Sequence, residues 1–184
     1  LASYNSRSLG SFAAPEVRLS AVRSCKPWPT WLQREMRSNW AGETGAVAIY
    51  RGCQDALCRV RCDEERVSLA EFASEHMQSE EAHLEAISAV VETQAERSVM
   101  PAETFGWWLG FLSVAARGAR GMYVTTHAVE SFVEEHYSDQ ISQLEQELAS
   151  GQLEQIKAYE ELVQLLRAAC ADEVQHKEDG ERRA

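Results

Sequence analysis

Two Glu-x-x-His strings, Glu80 with His83 and Glu173 with His176, lie inside the apolar stripes of two long helical segments, and nothing else restricts this chain's fold as tightly. In the first segment Leu69, Phe72, Ala73, His76, Leu84, Ile87 and Val91 recur at three- and four-residue steps through the string. In the second, Ile156, Tyr159, Val163, Leu166 and Cys170 run straight into Glu173 and His176. Two further segments carry one glutamate each on a similar stripe. Glu43 is flanked by Met36, Trp40, Val47, Tyr50 and Leu57, and Glu130 leads into Val133, Tyr137, Ile141, Leu144 and Leu148. Each of four helices therefore aims one glutamate at the core.

Burying even one unpaired carboxylate costs several kcal/mol or forces it to take up a proton. The four faces offer few cations to pair with these acids, and two divalent or trivalent metal ions would remove the conflict. Two Glu-x-x-His pairs plus one glutamate from each of two other helices is the ligand set of ferritin-like di-iron and di-manganese bundles. The i, i+3 spacing puts carboxylate and imidazole one turn apart on one face. The order is two-fold, Glu43 then Glu80/His83 and Glu130 then Glu173/His176, with 37 and 43 residues from each lone glutamate to its pair. A single Glu-x-x-His says little in a chain with 24 glutamates. On pattern alone, partly exposed helices with ordinary salt bridges remain the competing reading.

The rest of the chain predicts an all-α, ferritin-like antiparallel four-helix bundle with an extended N-terminal arm. Residues 1–27 form the arm, or the remnant of a targeting segment, closed by Pro27 and Pro29, and residues 28–184 form the bundle. The first helix is expected from Thr30 to about Val60, with Gly42, Gly45 and Gly52 marking a close approach to its backbone. Ser68 and Glu71 read as a capping box opening a second helix that runs to about Ser98. The third spans about Ala102 to Ala149 with a break or kink near Gly118 and Gly121, and Gly151 stops it. The fourth runs from about Gln152 to Glu178.

A net charge of -11 argues against nucleic acid as a partner. Residues 1–37 nevertheless carry a balance of +4, and Arg7, Arg18 and Arg23 lie among many serines with Glu16 the only acid of the first 24 residues. Such a start resembles an organellar targeting segment or its stub, with a floppy tail as the alternative. No apolar stretch is long enough to cross a bilayer; Phe105–Ala116 suits a membrane surface at most. Five cysteines in no disulfide or zinc pattern indicate a reducing compartment.

The strings Ala41-Gly42-Glu43-Thr44-Gly45-Ala46, Ser79-Glu80-Glu81-Ala82-His83-Leu84, Ala128-Val129-Glu130 with His136-Tyr137 and Gln140-Ile141, and Asp172-Glu173-Val174-Gln175-His176 together resemble the demethoxyubiquinone hydroxylase family. The resemblance covers roughly residues 30–180, with departures at Trp40, usually His, and Thr44, commonly Tyr. It implies a di-iron monooxygenase of ubiquinone biosynthesis that hydroxylates the ring of a polyprenylated demethoxyubiquinol. Two iron ions would be held by Glu43, Glu80, His83, Glu130, Glu173 and His176, with His136, Tyr137 and Asp172 supporting the ligands. It also implies a mitochondrial location on the matrix side of the inner membrane, in peripheral contact with that membrane or a membrane-protein complex, and a possible hetero-oligomer. The family ordinarily continues with a further apolar helix beyond the last ligand pair. Phe105, Trp107, Trp108 and Phe111 are expected to form an apolar entry, an interfacial belt or a protein interface. The alternative function is a structural accessory subunit of an organellar respiratory membrane complex, and iron storage or peroxide removal is a more distant one.

Overall fold

The computed structural model describes residues 22, 27–91 and 100–184. Four helices account for nearly all of these: α1 (Thr30–Ala56), α2 (Asp63–Val90), α3 (Met100–Ala149) and α4 (Ile156–Arg183), with a short 3-10 turn at Leu57–Arg59 and no strand among the described residues. The expected arm, apart from Val22 and Pro27, and the expected extension of the second helix through Ser98 lie outside them. Val22 itself is buried in the core.

Partner residues fix the directions of the helices. On α1 and α2, Trp40 Nε1 donates to Ser88 Oγ and Tyr50 meets His76, so the two run antiparallel. Asn39 and Glu43 of α1 meet Gln140 and Tyr137 of α3, again in opposite order. His83 and His76 of α2 meet Asp172 and Asp179 of α4, and Glu134 and Glu145 of α3 meet Lys177 and Arg167 of α4. Neighbours around the bundle are thus all antiparallel.

The expected break in α3 is a full reversal. Gly118 has φ 63° and ψ −148°, inaccessible to a side chain at low cost, and the helix turns back on itself there. Ser113 and Thr125, twelve positions apart in sequence, have hydroxyls 2.8 Å from one another. Residues 119–149 belong to the bundle, while residues 100–117 form an added arm lying along α1. Glycines permit that contact: a Cβ at Gly52 would stand 2.0 Å from the Trp107 carbonyl oxygen, and one at Gly110 would stand 1.8 Å from that of Ile49. Gly45 takes part through Gly106, but a Cβ at Gly42 would meet nothing within 4 Å.

The second helix begins earlier than its sequence suggests. Cys62 is the extended residue before α2, and Asp63, Glu64 and Glu65 fill its first turn, where the helix dipole favours acids. Ser68 therefore sits inside the helix and makes no cap. At α4 the start moves the other way, to Ile156, after the left-handed Gln155.

Apolar side chains gather in two clusters. Leu32, Met36, Ile87, Tyr137, Leu144, Leu162 and Leu166 form one. Tyr50, Cys53, Leu69, Phe72, Met122 and Tyr123 form the other. Each fully buried large side chain contributes about 1.5–3 kcal/mol. Between the two clusters runs a layer of charge.

Candidate metal centre

That layer is made of the six side chains singled out above. Glu43, Glu80, His83, Glu130, Glu173 and His176 are all buried, with Glu80 and His83 fully so. They form two overlapping groups in which the potential ligand atoms lie within 4.8 Å of one another: Glu43, Glu80, His83 and Glu173, and Glu80, Glu130, Glu173 and His176. Glu80 and Glu173 belong to both. The two groups could hold two adjacent cations, with Glu80 and Glu173 within reach of both.

Both imidazoles turn Nδ1 toward the acids. His83 Nδ1 lies 2.9 Å from Glu173, 3.5 Å from Glu80 and 3.6 Å from Glu43. His176 Nδ1 lies 3.1 Å from both Glu80 and Glu173. Asp172 approaches from behind, with Oδ2 3.0 Å from His83 Nε2 and 3.8 Å from His176 Nε2, while Ser79 Oγ donates to the same oxygen. Tyr137 donates its hydroxyl to Glu43. His136 stands off from the cluster, bonded to Gln140 (2.7 Å) and 3.6 Å from Glu35. At the departures from the family strings, Trp40 caps Ser88 across the helix pair and Thr44 Oγ1 donates to the Trp40 carbonyl.

Burial and neighbouring charges act on the protonation of the cluster in opposite senses at different residues. Burial pushes Glu43 up to about 7, against the opposing pull of His83. Burial also raises Glu130 well above the carboxylate range, and the charges of Glu173 and Glu80 add to it. Burial works against charge on Glu80 too, but contacts with His176 and His83 outweigh it and hold that carboxyl below its ordinary value. For His83 and His176 burial opposes the charged form, and the surrounding carboxylates overcome it and raise both.

The residues fit a pair of metal ions. Both oxygens of Glu80 are buried, and their polar neighbours are the two imidazole Nδ1 atoms, neither of which completes a well-aligned hydrogen bond to them. A cation between Glu80 and its neighbours would compensate the buried charge. Four carboxylates and two imidazoles are also an appropriate donor set for first-row divalent ions.

A cavity of about 710 Å³ reaches this layer, within the range of small-molecule sites. Its inner end is formed by Glu43, Glu80, Glu130 and Glu173, and its walls by small residues such as Gly42, Ala46, Ala102 and Ala128. At the outer edge Phe105 and Phe132 are each 70% exposed. The cavity lies between α1 and the two arms of α3, so the reversal at Gly118 builds one of its walls.

Sequence reasoning did not find the pairing of His76 with Asp179, nor Ser79 behind Asp172. A signal was present for the first. Asp179 continues the step of three from Glu173 through His176, and His76 lies one turn before Glu80. His76, a member of the apolar stripe of its segment, sits fully buried between Tyr50 and Asp179. His127 lies 3.4 Å from the Lys177 carbonyl.

No curated protein and no solved structure matches the chain. A family model described as ubiquinone biosynthesis protein COQ7 matches residues 30–184, the whole of the bundle from the first turn of α1 onward. The chain belongs to this family, which acts on a quinone in ubiquinone biosynthesis.

Proposed function

We propose that the protein is a di-iron monooxygenase that hydroxylates the ring of a polyprenylated demethoxyubiquinol. One observation carries the reading: an otherwise apolar cavity ends on four carboxylates of the candidate metal centre. A quinol ring with an apolar tail suits a cavity of this kind, whose walls are largely apolar and whose carboxylates are gathered where metal would stand.

Glu43, Glu80, His83 and Glu173 would hold one iron, and Glu80, Glu130, Glu173 and His176 the other. Bound iron would supply dioxygen activation. The chain's own part is to place and insulate: the small residues admit the ring edge-on, Leu109 and Val129 exclude water, and Tyr137 fixes Glu43 by its hydroxyl. Asp172 orients His83, and outer partners of this kind set ligand geometry.

Exposed Phe105 and Phe132 at the mouth, with Trp108 and Leu112 further along the same arm, support peripheral contact with a bilayer or a membrane-protein complex. No helix among the described residues is long and apolar enough to cross a membrane. The Arg- and Ser-rich composition of residues 1–24 supports placing that contact at the matrix face of the mitochondrial inner membrane.

The test is turnover. Purified protein given ferrous iron, a reductant and a demethoxyquinone should yield the hydroxylated quinone by mass spectrometry, and the Glu80→Ala and Glu173→Ala variants should not. Iron-loaded protein that forms no product and co-purifies in a large assembly would favour the accessory-subunit alternative instead.

A further inference from the structure

Behind the metal layer, on the histidine side, lies a hydrogen-bonded line that the hydroxylation reading does not use. Tyr50 Oη is 3.3 Å from His76 Nδ1, and His76 Nε2 is 3.3 Å from Asp179 Oδ2. Tyr50 and His76 are buried, as is Asp179, and none of the three lines the cavity. Asp179 is also held by Arg182 (2.6 Å) and by Arg183 (2.9 Å).

The direction of the line follows from its chemistry. Asp179, bonded by two guanidinium groups, is a carboxylate and only accepts. His76 therefore presents Nε2–H to Asp179 and keeps its lone pair on Nδ1, so the Tyr50 hydroxyl donates to Nδ1. Tyr50, His76 and Asp179 are all buried, so the line is shielded from water along its length. The arrangement is a phenol hydrogen-bonded to a buried base, with a carboxylate behind that base. The His76 ring lies 4.5 Å from that of His176, so one side chain separates Tyr50 from a metal-facing imidazole.

Tyr137 provides the contrast. Its hydroxyl is directed at Glu43, whose lone pairs a metal would occupy, so it has no base of its own.

We propose that Tyr50 is a redox-active side chain, a one-electron donor to the metal pair on the face away from the cavity, with His76 receiving its hydroxyl proton. The proposal rests on the iron-and-dioxygen reading above. Once bound iron had broken the O–O bond of dioxygen and so been carried above the ferric level, Tyr50 would return one electron to it while the hydroxyl proton moved along the existing hydrogen bond to His76 Nδ1. A neutral phenoxyl radical remains, and Asp179 balances the imidazolium. One electron from an external reductant such as ascorbate, with return of the proton, restores the phenol. With the cavity empty of quinol, this route spares the carboxylates and cavity walls from oxidation.

The experiment uses the full chain loaded with ferrous iron, mixed with dioxygen without quinone, freeze-quenched and read by electron paramagnetic resonance. A tyrosyl signal is expected that narrows in protein carrying ring-deuterated tyrosine and persists in Tyr137→Phe. It should vanish in Tyr50→Phe at unchanged iron content and melting temperature. His76→Leu, which keeps the phenol and removes the base, should lose most of it. Absence of the signal in the native chain, or its persistence in Tyr50→Phe, overturns the proposal. If Tyr50→Phe does not fold, an undiminished signal in His76→Leu overturns it equally. A signal in protein that never hydroxylates quinone would leave this inference standing and sink the hydroxylase reading; hydroxylation without a signal would do the reverse.

Discussion

The two halves of the chain donate the same residue types to the metal layer, yet they are held differently. In the first half Glu43 accepts the Tyr137 hydroxyl and His83 bonds Asp172 at 3.0 Å. In the second half His176 Nε2 is buried with no hydrogen-bond partner, its nearest carboxylate oxygen being Asp172 at 3.8 Å. Both supports of the first half are supplied by helices of the second. A repeated motif therefore does not bring a repeated environment, and the two cation sites should differ in strength.

The largest expected effect separates what the halves share from what each owns. Glu80 and Glu173 belong to both ligand groups, so replacing either by Ala should take metal content from about two per chain to nearly none. Glu43→Ala or Glu130→Ala removes a ligand from one group only and should leave about one. Elemental analysis of protein loaded with ferrous iron decides this. Equal losses in all four variants would end the comparison, because the centre would then be a single cooperative unit.

Proton storage offers the next test. Glu43 has a folded value of about 7 against an ordinary 4.5, so between those limits the metal-free folded chain binds more protons than the unfolded one. Stability contributed by the protonated group is thus complete below 4.5 and lost as pH climbs toward 7. At about 1.36 kcal/mol per unit this amounts to about 3 kcal/mol. Glu130, raised by burial and its acidic neighbours, acts in the same direction. Chemical denaturation of metal-free protein from pH 5 to 7 should show the fall, and Glu43→Gln should flatten it. An unchanged slope in that variant would transfer the effect to Glu130 and reverse the ranking of the halves.

How much of this was legible beforehand divides by periodicity. The inward glutamates and the Glu-x-x-His pairs were readable because helical spacing puts them on apolar stripes, and the fold class followed. The Gly118 reversal was readable only as a break, since a left-handed glycine fixes an interruption but not the angle at which the chain leaves it. The cavity was hidden because it depends on that angle. The start of α2 was misplaced for a local reason: Ser68 and Glu71 match a capping box, but Asp63, Glu64 and Glu65 extend the helix N-terminally past it. Asp172 was visible beside Glu173, whereas its contact with the histidine of the opposite half required three-dimensional packing.

Asp172→Ala should act more on the first half than on the second. His83 Nε2 loses its 3.0 Å contact with the Asp172 carboxylate, and loss of such outer partners typically weakens metal binding about 10–100-fold. His176, already farther from Asp172, should change less. Competition titration with a chelator would resolve a weakened step beside a nearly unaltered one. Two steps weakened alike would mean that Asp172 serves both imidazoles once metal is bound, and the asymmetry would belong to the metal-free state.

Tyr137→Phe should give the smallest effect, and it isolates the other support. The variant keeps the ring buried in its cluster and removes only the hydroxyl, so packing is nearly unchanged. Glu43 loses a donor but retains His83 at 3.6 Å, which places the cost at about 1 kcal/mol of metal-free stability rather than the larger penalty of an orphaned acceptor. Thermal denaturation measures it. Because no tyrosine hydroxyl among the described residues serves Glu130 in the same manner, a double variant with Glu43→Gln should show little further loss, whereas one with Glu130→Gln should show additive loss. Additivity in both would mean that the phenol stabilises the bundle generally, and the first half would have no private support from it.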